Sequence, residues 1–346
     1  MGTKLLLKLS DLDYAFPEEL IAQKPERPTR VMWVEDESPV EITISDLLQK
    51  FSPKDVLVIN ETKVSKRRVF GKTSKDEFEI LFIEQLEPNT WKVLFPASRL
   101  KKGEKVQLPD GIEMDLSQQG LPQIVKLSKN IDEDYFFKFG EIPLPPYIQK
   151  ARNERHHKAQ DESWYQTAWA NQVGSQAAPT ASLHFSQTDI HALESKGVAV
   201  EKILLHVGLG TFLPVKYEDL SQHQMHFEKV FVPGETYKRI LDRKDQGGKV
   251  WCLGTTVTRS LESVAIGKVG KNSSGNYEGE TDLFIREDFN FQMTDILLTN
   301  FHQPKTTLLA LVSSFAGLEN VKRCYQWAIE HKFKLFSYGD LTVWKK

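Results

Sequence analysis

Three histidines and one glutamate stand in positions from which they could transfer protons. His206 ends an apolar run directly before a glycine turn, and His223, His226 and Glu228 follow in the segment HQMHFE. Imidazole titrates near neutral pH, which suits the removal of a proton from carbon or from an amine. A nearby carboxylate can orient or charge the ring. The pattern therefore predicts a general acid–base site.

A metal site is the alternative interpretation of these histidines. His223 and His226 are three residues apart and can share one face of a helix. Their spacing differs from the HExxH arrangement, and the sequence offers no clear third and fourth ligand. We therefore expect no metal.

Three apolar runs in the second half of the chain each end in a polar loop. The loops are residues 206–211, 254–259 and 299–307. In open α/β sheets, ligands bind beyond the carboxyl ends of the strands, so we expect the loops to converge. Thr255 and Thr256 also fit as helix N-caps, and that interpretation stays open for each of them. His302, between a strand and a helix start, is unusual for a purely structural turn.

The segment 174–185 is rich in small residues, which let a backbone approach a ligand closely. Its His184 lies between Leu183 and Phe185, so a core position and a ligand contact are equally compatible with the sequence. Taken alone, the segment is a candidate ligand loop.

An α/β fold is needed to position these loops, and both ends of the chain supply its elements. Residues 55–60, DVLVIN, are typical of a strand buried on both faces. From residue 164 onward, apolar runs alternate with helical patterns, which indicates crossover connections on a mainly parallel or mixed sheet. Short alternating segments between these regions indicate antiparallel β-structure. We predict an α/β domain, a mixed sheet with flanking helices, from residues 1–60 and 151–346, and an inserted antiparallel β-barrel domain from residues 61–150.

Composition limits the class of protein and its compartment. The 346 residues are 40% hydrophobic and 27% charged, as in an ordinary globular protein, and they include two cysteines. So few thiols favour a reducing compartment, and no segment approaches the apolar length of a membrane span. We expect a cytoplasmic protein without a membrane anchor, with a monomer as the working hypothesis.

Basic residues cluster at both passages between the predicted domains. The net charge of -2 gives no general affinity for polyanions, so a nucleic acid would require a local patch. Lys66, Arg67 and Arg68 on entry, with Arg152 on return, could together hold a phosphate backbone. A solvated charged linker is the alternative.

Several segments together resemble one known family. They are GSQAAPTASLHF from residue 174, HQMHFE from residue 223, GTTVTRSLES from residue 254, LLTNFHQPKTTLLALVSSFAG from residue 297 and FSYGD from residue 336. The chain is similar, nearly end to end, to the S-adenosylmethionine:tRNA ribosyltransferase-isomerases of queuosine biosynthesis. The resemblance implies transfer and isomerisation of the ribosyl group of S-adenosylmethionine onto 7-aminomethyl-7-deazaguanine at the tRNA wobble position. Epoxyqueuosine, adenine and methionine are then the products.

The resemblance also implies roles for individual residues. S-adenosylmethionine is the co-substrate, tRNA is the partner, and no metal is implied. The residues implied in proton transfer and polar positioning are His206, His223, His226, Glu228, Arg259 and Asp340. Those implied in binding S-adenosylmethionine are Thr180, His184, Gly208, Gly210, Thr211, Thr255, Thr256, Asn300 and His302.

The chain departs from the family pattern at three positions of the expected site. Gln176 stands where a small apolar residue is usual, Ser182 where glycine is usual, and Phe227 where serine is usual. A divergent paralogue, which binds RNA without turnover or acts on another modified base, is therefore the alternative function. The histidines and threonines at the strand ends argue against a protein that only binds RNA, because binding alone does not require them.

Overall fold

The computed structural model describes residues 7–100, 103–208, 210, 213 and 215–345. Within these residues it contains a nine-stranded mixed sheet, a closed six-stranded barrel and a two-stranded sheet. In chain order the strands are β1 (Arg30–Glu35), β2 (Ser38–Thr43), β3 (Val56–Asn60), β4 (Thr62–Val64), β5 (Arg68–Lys72), β6 (Glu77–Glu87), β7 (Thr90–Leu94), β8 (Lys105–Leu108), β9 (Ile112–Gln118), β10 (Gln123–Leu127), β11 (Gln172–Ser175), β12 (Ala199–Leu205), β13 (Glu228–Val232), β14 (Val250–Leu253), β15 (Tyr277–Thr281), β16 (Ile296–Asn300) and β17 (Leu341–Lys345).

The helices flank the large sheet or connect the strands. In chain order they are α1 (Ile44–Gln49), α2 (Glu133–Phe139), α3 (Pro146–Arg152), α4 (Asp161–Trp164), α5 (Gln187–Ser195), α6 (Gly234–Asp245), α7 (Thr255–Ala265), α8 (Thr307–Ala316) and α9 (Leu318–Glu330). Among the described residues, no helix combines the length and apolar character needed to cross a membrane.

The large sheet has the strand order β15-β13-β12-β3-β14-β16-β17-β1-β2. Strands β12, β3, β14 and β16 are mutually parallel, so their carboxyl ends lie at one edge. β17 is antiparallel to β16, which brings its amino end to the same edge. We call this the site edge, defined by the residues that end or adjoin these strands there: Asn60, His206, Gly254, Asn300 and Asp340.

The central strands are covered on both faces because their side chains are apolar on both. Val56 and Val58 of β3 pack into a core with α6 and α7, whereas Leu57 and Ile59 pack into a core with α1 and α5. Consecutive strand residues point to opposite faces, so an all-apolar strand has to be covered twice. The predicted mixed sheet with flanking helices is confirmed.

The barrel consists of antiparallel strands in the order β10-β7-β6-β5-β8-β9. Its interior is filled by apolar and aromatic side chains, among them Phe82, Trp91 and Met114. All six strands fall between β3 and β12 in the chain, so the predicted insertion of an antiparallel barrel is confirmed. The division of the chain at residues 61 and 150 stays a prediction.

Candidate active site

His206 directly follows β12 at the site edge. Its Nδ1 lies 2.8 Å from Oγ1 of Thr62, and its backbone N–H donates to the carbonyl of Lys229 over 3.1 Å. The ring is half-buried. Burial, together with the charge of Lys229, lowers the pKa of the imidazole, because both disfavour the protonated form. Both effects therefore favour the neutral form of His206.

Gly174 makes room for this imidazole. A Cβ at residue 174 would stand 2.8 to 3.0 Å from three atoms of the His206 ring, closer than side-chain carbons approach other atoms. The expected use of this glycine was to let the backbone approach a ligand. In the structure the neighbour that needs the space is a histidine of the site itself.

Asn60 ties together three elements of the site edge. It is fully buried at the end of β3. Its Nδ2 donates to the Leu205 carbonyl over 2.9 Å, and its Oδ1 accepts from the N–H groups of Leu205 (3.1 Å) and Thr62 (3.2 Å). Nδ2 also lies 3.4 Å from Oγ1 of Thr256, at the start of α7. Sequence reasoning missed Asn60, although a polar residue that ends a wholly apolar strand was a usable signal.

Glu228 and Arg259 form a buried ion pair behind the glycine turn. One carboxylate oxygen of Glu228 accepts from the N–H of Gly208 at 3.1 Å, and the other is paired with Nη1 of Arg259. Nε of Arg259 donates to the carbonyl of Leu283 over 3.1 Å. A carboxylate engaged on both oxygens is suited to fix the turn after His206.

His223 and His226 lie in an extended segment between a short 3₁₀ turn and β13, not on a helix. Both are half-buried, and the ring of His223 meets Phe284 edge-on at 5.5 Å between centroids. Burial, with the charge of His226, lowers the pKa of His223. The shared helical face considered for a metal site is therefore wrong. In the part of the chain that the structure describes, no three His, Cys, Asp or Glu side chains form a group that could hold a metal ion.

The start of α7 lies at the same edge of the sheet. The residue before the helix is Gly254, with φ of +100°, a region that favours glycine. Thr255 and Thr256 occupy the first two helical positions, so the N-cap interpretation is wrong for both. Thr256 instead contacts Asn60, which places the helix start beside the ends of β3 and β12.

His184 and Asn300 form a buried polar cluster farther along the edge. Nε2 of His184 lies 3.0 Å from Nδ2 of Asn300, and its Nδ1 lies 3.3 Å from Oγ1 of Thr29. Nδ2 of Asn300 also donates to the carbonyl of Phe336 over 3.0 Å. Burial, with the charge of Arg27, lowers the pKa of His184 to about 3. Both ring nitrogens are thus satisfied within the protein.

His302 and Asp340 belong to the same internally bonded region. Nε2 of His302 lies 2.8 Å from Oγ1 of Thr299, and burial lowers the pKa of its ring to about 3. The carboxylate of Asp340 accepts from the backbone N–H groups of Arg30 (3.1 Å) and Lys334 (2.7 Å). Burial raises the pKa of Asp340. These contacts hold the ends of β1, β16 and β17 together.

The remaining residues implied in binding S-adenosylmethionine fall in the segment 174–185 and in the loop 206–211. Thr180 is partly exposed at the start of the 3₁₀ turn Thr180–His184, whose Ala181 packs near Gly254. Gly210 lies beside His226, since a Cβ there would be 3.6 Å from that ring. Thr211 lies outside the described residues.

The four basic residues expected to bind nucleic acid are each paired with a carboxylate. Arg68 bridges Glu79 and Glu141, and Arg152 binds Asp161 through two nitrogens; both side chains are 3% exposed. Arg67 pairs with Glu133, and Lys66 pairs with Glu162 while staying 22% exposed. The guanidinium groups of Arg68 and Arg152 are thus buried in these ion pairs, and their role in binding tRNA stays a prediction. The side chains of Lys66 and Arg67 stay partly exposed to solvent.

The three departures from the family pattern lie close to these elements. Phe227, between His226 and Glu228, is 63% exposed. Gln176 is buried against the barrel, where its Nε2 donates to the carbonyl of Phe82 over 3.4 Å. Ser182 is buried, and its Oγ has no hydrogen-bond partner in the part of the chain described here.

Comparison with known proteins gives a consistent result. A profile of the queuosine biosynthesis protein family matches residues 9–343. The S-adenosylmethionine:tRNA ribosyltransferase-isomerase of Thermosipho africanus is 42% identical, covering 96% of this chain and 98% of its own, and that of Thermotoga maritima is 38% identical, covering 97% and 99%. The crystal structure of S-adenosylmethionine tRNA ribosyltransferase from Thermotoga maritima aligns with a TM-score of 0.54 at 29% identity, covering 96% of this chain and 99% of that one. The chain therefore belongs to the queuosine biosynthesis protein family.

Proposed function

We propose that this protein transfers and isomerises the ribosyl group of S-adenosylmethionine onto 7-aminomethyl-7-deazaguanine at the wobble position of tRNA. Epoxyqueuosine, adenine and methionine are the products. The observation that carries the proposal is the convergence of β3, β12 and β14 at one edge. There a half-buried histidine, His206, precedes the glycine turn at Gly208, and Asn60 at the end of β3 contacts Thr256 at the start of α7.

The chemistry requires proton transfer next to the sulfonium and stabilisation of adenine as it leaves. His206, His223 and His226 are our candidates for this work, because each is only half-buried and His226 lies beside Gly210 of the glycine turn. Glu228 and Arg259 position the glycine turn through the N–H of Gly208.

The adenosyl group is proposed to lie along the glycine turn and the start of α7. Asn60 fixes the start of α7 relative to β12. His184, His302 and Asp340 then shape the far wall of the site, because they are hydrogen-bonded within the protein. The buried Oδ1 of Asn300 has no partner among the described residues.

Transfer RNA is proposed to approach along the junction of the sheet and the barrel. Lys66 and Arg67 retain exposed surface there. S-adenosylmethionine acts as co-substrate and no metal takes part in the proposal. We further propose a cytoplasmic monomer.

The direct test is incubation with S-adenosylmethionine and tRNA that carries the aminomethyl deazaguanine, followed by nucleoside mass analysis and adenine detection. We expect epoxyqueuosine in the tRNA and one adenine per modified nucleoside. Binding of the tRNA without adenine release would contradict the proposal and identify the protein that only binds RNA.

A further inference from the structure

The hydroxyl of Thr62 has one hydrogen-bond partner among the described residues, Nδ1 of His206 at 2.8 Å. Thr62 is fully buried, so bulk water does not reach it. A hydroxyl carries one proton to donate and lone pairs to accept. A buried donor left without an acceptor costs about 1–3 kcal/mol. The hydroxyl proton therefore has to point at Nδ1.

The direction of this hydrogen bond determines the tautomer of His206. When Oγ1 of Thr62 donates, Nδ1 is the acceptor and carries no proton, so the neutral ring holds its proton on Nε2. The opposite tautomer would make Nδ1–H the donor and leave the threonine proton with nothing to bind in the described surroundings.

The ring has little freedom to escape this arrangement. Gly174 lies against the ring, and the backbone N–H of His206 is bound to Lys229 on β13. Asn60 accepts from the N–H of Thr62 over 3.2 Å, which fixes the threonine as well. In the described part of the chain, Nε2 makes no hydrogen bond, and the ring is half-buried. The Nε2–H group is thus the part of His206 available to a substrate.

We propose that Thr62 is a positioning residue that holds His206 in the Nε2–H tautomer, so that His206 donates a hydrogen bond to an acceptor atom of the adenosyl group instead of abstracting a proton. The inference rests on the proposed function and assigns the base to another group. A neutral imidazole can stabilise negative charge as a donor, and a preorganised donor aimed at the developing charge gives a large catalytic effect. Such charge develops on adenine as its bond to the ribosyl group breaks.

Nitrogen-15 NMR of histidine-labelled protein tests the tautomer without any turnover. The His206 signals are assigned by their loss in His206→Gln. We expect a protonated Nε2 and an unprotonated Nδ1 in the unmodified protein and in Thr62→Ser, and exchange-averaged nitrogens in Thr62→Val, which keeps the shape but removes the hydroxyl. A protonated Nδ1 in the unmodified protein overturns the proposal. Unchanged signals in Thr62→Val overturn the role of Thr62.

Single-turnover adenine release tests the donor role. A glutamine amide can donate a hydrogen bond but cannot act as a base, so we expect His206→Gln to stay within about tenfold of the normal rate. His206→Ala should lose about a hundredfold or more, as for removal of one donor to a developing charge. Thr62→Ser should restore the rate lost in Thr62→Val. If His206→Gln is as slow as His206→Ala while both are folded, His206 is not a donor.

The two proposals fail in different ways. If the unmodified protein releases no adenine from the modified tRNA, the proposed function is wrong, whereas the NMR result still reports the tautomer. If adenine is released but His206 carries its proton on Nδ1, the function stands and the donor assignment is wrong.

Discussion

The two halves of the site edge contain the same kinds of residues but differ in how deeply those residues are buried. The half formed by β3, β12 and β14 presents His206 as a half-buried residue, and His223 and His226, in the segment before β13, are half-buried as well. The half formed by β16 and β17 holds His184 and His302 in the core, with the pKa of each ring lowered to about 3. We call these the open half and the closed half.

The difference teaches that a cluster of polar residues at strand ends is not in itself a reactive site. In the closed half the polar atoms bond mainly to one another and to the backbone, as a buried group must in order to avoid the cost of desolvation. In the open half, Nε2 of His206 is not used by the described part of the protein. Reactivity requires that a group be positioned and still unoccupied.

The largest expected effect is on catalysis in the open half. At least one of His206→Ala, His223→Ala and His226→Ala should slow single-turnover adenine release by about a hundredfold to ten-thousandfold, the usual cost of losing a general acid or base. Thermal stability of that variant should be nearly unchanged. The matched control is His184→Ala from the closed half, which should lose stability in preference to rate. Near-normal rates in all three open-half variants would show that the open half is structural.

The buried ion pair should give the next largest effect. Arg259→Met leaves the Glu228 carboxylate buried without its partner, which costs about 3–5 kcal/mol in the free energy of unfolding. The double variant with Glu228→Gln should recover much of this loss, because no unpaired charge remains. Denaturant unfolding measures both. Equal losses in the single and double variants would mean that charge pairing is not the cause.

The closed half should make stability depend on pH. The pKa of His184 is about 3 in the folded protein and near its ordinary 6.5 when unfolded, so the unfolded chain binds a proton that the folded one refuses. The contribution of neutral His184 to the free energy of unfolding is complete above pH 6.5. It is lost as the pH falls toward 3, by up to about 1.4 kcal/mol per pH unit.

Thermal or denaturant unfolding between pH 7.5 and 5 measures this slope. We expect His184→Gln to reduce this slope by the amount that corresponds to about one proton, even though the variant is less stable overall. The Lys54→Ala variant, altered at the opposite edge of the sheet, should keep the slope. An unaltered slope in His184→Gln would show that this histidine titrates alike in both states.

The smallest expected effect concerns RNA binding. Lys66→Ala should lower the slope of log affinity for tRNA against log salt by about one, since one phosphate contact is lost. Arg152→Lys should not change the slope, because the side chain is buried against Asp161. Lys54→Ala again serves as the control. A Lys66→Ala slope equal to that of the control would mean that Lys66 serves only its pair with Glu162.

The fold was largely predictable because periodicity reports burial directly. The apolar run at residues 55–60 became β3, buried at every position, and the short alternating segments became the barrel. The site was predicted less completely. Asn60 and Thr62 were missed because their roles come from hydrogen bonds to residues about 145 positions away in sequence, Leu205 and His206.

By itself the sequence determined the family, the mixed sheet, the inserted barrel and the set of polar residues near the strand ends, since composition and spacing are local properties. Only the tertiary structure decided which of those residues form hydrogen bonds or ion pairs within the protein and which keep atoms for a substrate. His184 is occupied because Asn300 and Thr29 converge on it, and Arg152 is buried because Asp161 meets it. Nδ1 of His206 is bound to Thr62, whereas its Nε2 has no hydrogen-bond partner among the described residues. Such pairings depend on how distant segments meet, and the energy of an unsatisfied buried group then determines which atoms remain for a substrate.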